Sequence, residues 1–211
     1  MKRFFIALTL TAALLSLCSC HRSEKKGKTG EQQVDTVMTD NKWRSVDPMD
    51  INMNPVENFA KDWMALAVGG EKSYNSMTIA WGAIGQLWNK PVVIVFVSED
   101  RYTKRLMDRN DCFTVTGFPQ SKACRDALLY IGSHSQKDEP DKTANAGLHV
   151  EFTPSGNPTF AEGCLAIECR KIYSDAFDLD LVPEEIAEGM YSQMGVHSFY
   201  IGEIIGAWEK R

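Results

Sequence analysis

The sequence has no unbroken apolar run as long as the roughly 18 residues that a spanning helix needs, so no segment of the mature chain is expected to cross a membrane. It is short of positive charge: 23 Lys and Arg stand against 28 Asp and Glu, a formal charge of −5. A general nucleic-acid binder would present a basic face, and this balance argues against one. Six Cys in 211 residues are too sparse for a disulfide scaffold. None of them forms C-x-x-C, so neither a zinc site nor a thioredoxin-type site is indicated. His134, His149 and His197 are scattered without H-x-x-x-H spacing, and no metal site is expected. No G-x-S-x-G supports acyl transfer, and no G-x-G-x-x-G follows a strand to open a Rossmann domain. What remains is ordinary globular composition, 44% hydrophobic and 24% charged, in a length that suits one domain or a small pair.

The first twenty residues read as a secretory signal rather than as structure. Lys2 and Arg3 form a basic n-region, Phe4 to Leu17 is apolar apart from Thr9, Thr11 and Ser16, and Leu17-Cys18-Ser19-Cys20 follows. This ending resembles a bacterial lipobox, with Leu17 at −3 and the small Ser19 at −1 of Cys20. Cys18 fits less well, because Leu17 would stand at −1; an ordinary signal peptide with incidental cysteines is the alternative. Removing residues 1–19 takes away Lys2 and Arg3 and no acid, which moves the charge from −5 to −7. Lipid on Cys20 would anchor the chain to a bilayer, each buried CH₂ contributing roughly 0.8 kcal/mol. His21 follows that Cys, so an Asp-type inner-membrane retention signal is missing, which leans toward the outer membrane of the cell envelope. The polar run from His21 to about Ser45 is expected to be a flexible tether, and residues 46–211 the folded domain.

Within that domain the pattern predicts mainly strands with inserted helices. Val92 to Val97 is a β-branched apolar run, the mark of a strand buried on both faces. Asp62–Val68, Met77–Ile84, Cys112–Gly117, Leu148–Phe152, Cys164–Tyr173 and His197–Trp208 are further strand candidates, the last with bends expected at Gly202 and Gly206. Val56–Ala60, Asp100–Asp108, Ser121–Ile131 and Pro183–Met190 read as helices, and Asp138–Ala146 as helical or irregular. Strands do not alternate with long crossover helices, so a closed or nearly closed antiparallel barrel fits better than a doubly wound parallel sheet. Cys112, Cys124, Cys164 and Cys169 are expected as buried free thiols, with pairing outside the cytoplasm as the alternative.

Three clusters carry chemistry. In Tyr74-Asn75-Ser76-Met77-Thr78, the hydroxyls of Ser76 and Thr78 stand two residues apart and share one strand face. Ala80 and Gly82 continue that face and leave room for something flat, with Trp81 between them. Ser98-Glu99-Asp100-Arg101-Tyr102-Thr103 opens a helix, where free N–H groups make an anion site that Arg101 and Thr103 could complete. Trp88-Asn89-Lys90-Pro91 could frame an aromatic ligand. Taken singly, each also reads as plain structure: satisfied hydroxyls, a helix start with an exposed Arg, and a packed Trp in a turn.

Together these segments resemble the flavin reductase-like FMN-binding split-barrel family, most closely its flavoredoxin-type branch. The residues that carry the resemblance are Asn75 through Gly82, Leu87-Trp88-Asn89-Lys90-Pro91, Arg101-Tyr102-Thr103, Phe113-Thr114, Gly132-Ser133-His134-Ser135, Asp141-Lys142, Ala146-Gly147-Leu148, Glu168-Cys169-Arg170-Lys171 and Tyr200-Ile201-Gly202-Glu203. They span roughly Asn54 to Glu203. The resemblance implies a split β-barrel that binds FMN without a covalent bond, as a homodimer with the flavin near the subunit interface. It implies Asn75, Ser76, Met77, Thr78, Ala80 and Trp81 beside the ring and ribityl chain, Arg101 and Thr103 on the phosphate, and Trp88, Asn89 and Lys90 at the pocket border. No catalytic side chain is implied, because hydride transfer to a flavin needs none. The chain departs from the family's Ser-Gly-Arg-Asp run, with Gln136 in place of Gly, Lys137 in place of Arg, and Pro140 before the Asp-Lys pair. The function so implied is an FMN-binding oxidoreductase fed by NAD(P)H, which would bind transiently over the flavin, or by a protein electron donor. An FMN-binding electron carrier or flavin-binding lipoprotein without NAD(P)H turnover is the alternative.

Overall fold

The computed structural model describes residues 42–210; the expected signal sequence, Cys20 and nearly all of the expected tether lie outside the described residues. The chain runs through β1 (Trp43–Ser45), helical turn α1 (Pro55–Glu57) with a wider turn over Asn58–Asp62, β2 (Met64–Gly70), β3 (Ser73–Ile79), β4 (Gly82–Leu87) and β5 (Lys90–Ser98). It continues with α2 (Tyr102–Arg109), β6 (Cys112–Gly117), α3 (Lys122–Ser133), α4 (Lys142–Asn145), β7 (Val150–Phe152) and β8 (Pro158–Phe160). Strand β9 (Leu165–Ala176), helical turn α5 (Glu184–Ile186) and β10 (His197–Lys210) complete it.

Eight strands form one antiparallel sheet in the order β3-β2-β6-β9-β10-β5-β4, with β1 also on β10, and β7 and β8 pair separately. The two edge strands of that order, β3 and β4, are consecutive in the chain and joined only by Ala80 and Trp81. Three Cα steps of 3.8 Å reach at most about 11 Å, so the sheet must curl until its edges meet at that end. The result is a mainly β barrel with inserted helices, as the pattern predicts, and of the split kind that the resemblance implies.

Alternation along the strands sorts two layers of core. Met64, Leu66 and Val68 of β2 face inward with Val93, Val95 and Val97 of β5, Phe113 and Val115 of β6, Ile167 and Cys169 of β9, and Tyr200 of β10. The other face of β2 carries Ala65 and Ala67, whose small side chains let α3 lie close through Ala127, Leu128 and Ile131, with Leu148 and Phe160 completing the layer. Ser121 caps α3 by accepting from the Cys124 N–H at 3.2 Å, the cap its sequence announces.

Several boundaries differ from expectation. Among the described residues, strand pairing starts at Trp43, ahead of the expected 46: Trp43, Arg44 and Ser45 pair with Lys210, Glu209 and Trp208, and the Trp43 indole donates to Glu151 at 3.0 Å. Three polar-flanked residues have no period to read, so a tertiary pairing was invisible in them. The expected strand Met77–Ile84 is two strands, broken where the chain passes from one edge of the split to the other. Strand β8 was not anticipated, because Pro158 opens it and it has only three residues. The bends at Gly202 and Gly206 are present as register shifts of β10 against β9. A Cβ at Gly202 would sit among the Phe113 ring atoms and Cys169 Cβ. Cys112, Cys124, Cys164 and Cys169 are all free, only Cys169 fully buried.

Candidate functional site

Strand β3 is the floor of the site, and its side chains divide by the period of two. Ser76 and Thr78 point to the α3 side. Ser76 is buried and shares a hydrogen bond with Thr143 of α4 at 2.9 Å. Thr78 donates to the Leu128 carbonyl of α3. Asn75 lies on the other face, 1% exposed, and its Nδ2 donates to Thr103 Oγ1 at 2.8 Å. These bonds tie β3 to three helices at once and place the starts of α2 and α4 and the end of α3 around it.

Three hollows meet here. A cleft of about 360 Å³ runs along Met77, Thr78, Ala80 and Trp81 toward Phe96, Arg101 and His197. A groove of about 480 Å³ shares Thr78, Ala80 and Arg101 with it and extends to Trp63, Leu129 and Ser133. A small cavity of about 100 Å³ lies among Asn75, Arg101, Thr103, His134, Gln136 and Lys142. Arg101 borders all three. It is exposed, stands at the N-cap of α2, and its Nη1 donates to the Gly132 carbonyl at 3.1 Å; no side chain caps that first turn. The helix start therefore offers amide N–H groups and a guanidinium to an anion.

The site has a cationic end and an aromatic end. Lys142 is 2% exposed, donates to the Ile131 and His134 carbonyls at 3.2 and 3.0 Å, and lines the small cavity. Burial, then repulsion from Arg101, pulls its pKa down to about 8. The Trp81 and His197 rings lie 4.8 Å apart, tilted by 44°, on the wall of the first cleft. Burial, reinforced by Arg101, lowers the His197 pKa and favours the neutral ring. Trp63 holds φ 63° and ψ 158°, a conformation that costs a non-glycine residue about 1–3 kcal/mol. The Arg125 guanidinium lies 3.3 Å over its ring and donates to the Lys61 carbonyl at 2.6 Å, which locks Trp63 at the groove.

Of the residues singled out in the sequence, Asn75, Met77, Thr78, Ala80, Trp81, Arg101 and Thr103 come together. Ser76 is next to them but buried beneath the floor, lining none of the three hollows. Trp88, Asn89 and Lys90 lie elsewhere in the chain and line none of the three hollows. Trp88 and Asn89, with φ of 51° and 59°, form the two-residue turn between β4 and β5, the pattern of a type I′ hairpin. Lys90 pairs with Glu203 at 2.6 Å, and Glu203 with Arg170 at 2.8 Å. Eight residue steps along β5 separate Lys90 from Ser98, about 26 Å at 3.3 Å per residue. Thr103 is 2% exposed and lines the small cavity; its hydroxyl oxygen accepts from Asn75, which leaves its own proton to donate. The site residues not singled out are Trp63, His134, Gln136, Lys142 and His197. Lys142 and His134 stood within the family-like segments. His197 begins a strand as a lone histidine, and nothing local marks it.

This fold is a split β-barrel, the fold that solved structures of flavin reductase-like FMN-binding proteins share with this chain. No family model and no curated protein matches the chain. Among solved structures, the flavoredoxin of Methanosarcina acetivorans is 21% identical with a TM-score of 0.56, over 71% of this chain and 69% of that one. The FMN-binding domain of a flavin reductases-like enzyme from Shewanella baltica OS155 is 17% identical, also at 0.56, over 80% and 77%. Flavoredoxin of Desulfovibrio vulgaris (Miyazaki F) is 24% identical at 0.54, over 71% and 69%. At these identities the likeness is one of fold.

Proposed function

We propose that this chain is an FMN-binding oxidoreductase of the flavin reductase and flavoredoxin kind. One observation carries the reading: a cleft walled by Trp81, Phe96 and His197 shares Arg101 with a small cavity that also holds a buried lysine. The residues fit the group. Thr78, Ala80 and Trp81 would flank the ring, and Arg101, Lys142 and the α2 amides would hold the phosphate. Bound there, FMN supplies the hydride and electron chemistry. The chain's own part is to orient and to exclude water. Trp81 and His197 wall the ring end, and the His197 ring, kept neutral, adds no charge there. Arg101 shields the phosphate in a protein whose mature charge is negative. The structures similar in fold include an NADH:FAD oxidoreductase of Streptomyces globisporus, which supports a nicotinamide donor for this chain.

The chain would work as a homodimer. The outward face of β5 and β10 carries Ile94, Phe96 and Phe199, with Ile205 41% exposed and Tyr173 of β9 44% exposed. Trp88, 63% exposed at its hairpin tip, is remote from its own cleft. A second copy on that face would bring its hairpin toward the first copy's site and account for the family-like Trp88-Asn89-Lys90 run.

Absorbance of the purified protein and titration with FMN and riboflavin test the reading. Arg101→Ala is expected to weaken FMN by roughly 10- to 150-fold, the worth of about 1.5–3 kcal/mol for a hydrogen bond to a charged group. Riboflavin, which lacks the phosphate, should change little. Equal losses for both would assign Arg101 to the fold, and a colourless protein that takes up neither would overturn the proposal.

A further inference from the structure

The small cavity is lined by two cations, Arg101 and Lys142, and one acid, Asp100, yet two further lining residues hold buried oxygens with no partner among the described residues: Asn75 Oδ1 and Gln136 Oε1. Buried acceptors beside a cavity ask for donors, whereas an arginine and a lysine ask for an anion. The two amides resolve this differently. Asn75 bonds only to the Thr103 hydroxyl, which donates as readily as it accepts. Its amide can turn over, keep that bond, and offer Nδ2–H to an anion. Gln136 cannot. Its Nε2 donates at 2.7 Å to the Tyr74 carbonyl, which only accepts, so a turned amide would set two oxygens against each other. Gln136 Oε1 is therefore a fixed acceptor. A phosphate dianion, the dominant form near neutral pH, has no proton to give it.

We propose that Gln136 selects the polyol part of the ligand by accepting a hydrogen bond from a ribityl hydroxyl, next to a phosphate held by Arg101, Asn75 and Lys142. The inference rests on the FMN reading above and adds a residue that discriminates among flavins. It is a property of this chain, because a glycine in place of Gln136, as in the family-like run, has no such oxygen. The anchor on Tyr74 couples the contact to β3, the strand that carries Asn75 and Thr78. The cavity of about 100 Å³ is too small for the ring and suits the end of a polar chain.

Three flavins separate the possibilities in the full-length protein: FMN; riboflavin, which keeps the ribityl chain; and lumiflavin, which has neither chain nor phosphate. Gln136→Met keeps length and removes the amide. It is expected to weaken FMN and riboflavin by the same factor, roughly 3- to 10-fold for one neutral hydrogen bond, and to leave lumiflavin unchanged. Equal loss of all three would make Gln136 a fold residue and overturn the proposal. So would loss of FMN alone, which would place the contact on the phosphate, or no loss at all, which would leave water as the partner. Where the Met variant fails to fold, the wild-type protein serves instead: a flavin carrying an unsubstituted pentyl chain in place of ribityl should bind at least about 3-fold more weakly than riboflavin, and equal binding of the two overturns the proposal. A wild-type protein that binds none of the three flavins fails at the FMN reading itself, a result distinct from any of these.

Discussion

Lys142 concentrates the electrostatics of the site in one side chain. It is buried, it faces Arg101, and its proton is held with a pKa of about 8. An anion bound beside it raises that pKa, so the complex keeps a proton that the free protein loses as pH rises. FMN affinity should therefore decline as pH is raised above 8, while riboflavin affinity stays level; fluorescence titrations from pH 7 to 9 read this directly. The ligand-free protein moves the other way. Between about 8 and the ordinary lysine value of 10.5 the unfolded chain binds more protons than the folded one, so this residue's contribution to stability rises with pH across that window. The depressed His197 pKa acts with the same sign at lower pH: below the ordinary value of 6.5 the unfolded chain takes up the proton first, and stability falls with acidification. None of this is legible locally. A lysine in a four-residue helix looks like any solvated charge until α3 and the 134–137 loop close over it.

Among the elements, β10 does the most joining. One edge pairs with β9 along most of its length, and the other serves β5 over His197–Glu203 and then β1 over Trp208–Lys210. A strand of 14 residues can do this only by bending, and the register shifts at Gly202 and Gly206 supply the bends. Gly202→Ala would push a methyl into Phe113 and Cys169. It should cost about 1–3 kcal/mol, seen as a lower denaturant midpoint with an unchanged slope, and Gly85→Ala, with open space around it, should cost far less. The β-branched run of β5, the Ser121 cap of α3 and the two bends of β10 could be read from sequence because each is a local requirement of period, cap or glycine. The break between β3 and β4 could not. Its cause is the closure of the sheet at Ala80 and Trp81, and no residue there has a strong turn preference.

For the whole molecule, the predictions concern the parts that join the barrel to its surroundings. Cys20 is expected to be the mature N-terminus and to carry lipid; mass spectrometry of the N-terminal peptide that finds an unmodified start at another residue would refute this. In detergent, sedimentation should give twice the chain mass with flavin bound. A monomer with flavin still bound at tens of micromolar would rule out the dimer and leave the Trp88 hairpin without its proposed role. Trp88→Ala separates these further: it should weaken flavin in a dimer and do nothing in a monomer.

The sequence by itself determined the fold class, through strand periods and the lack of long crossover helices, and it determined the stretch of β3 and the start of α2 on which the site is built. Those are properties of contiguous residues, where side-chain period and backbone conformation are set by near neighbours. Only the tertiary structure decided which of those residues face the cleft. The pleat sends Ser76 under the floor and Asn75 toward Thr103, and the length of β5 carries Lys90 away from Arg101. It also decided that Lys142, Gln136 and His197, distant in the chain, meet at the same cavity and cleft. Burial and field at a point depend on everything packed around it, and one-dimensional spacing does not contain that sum.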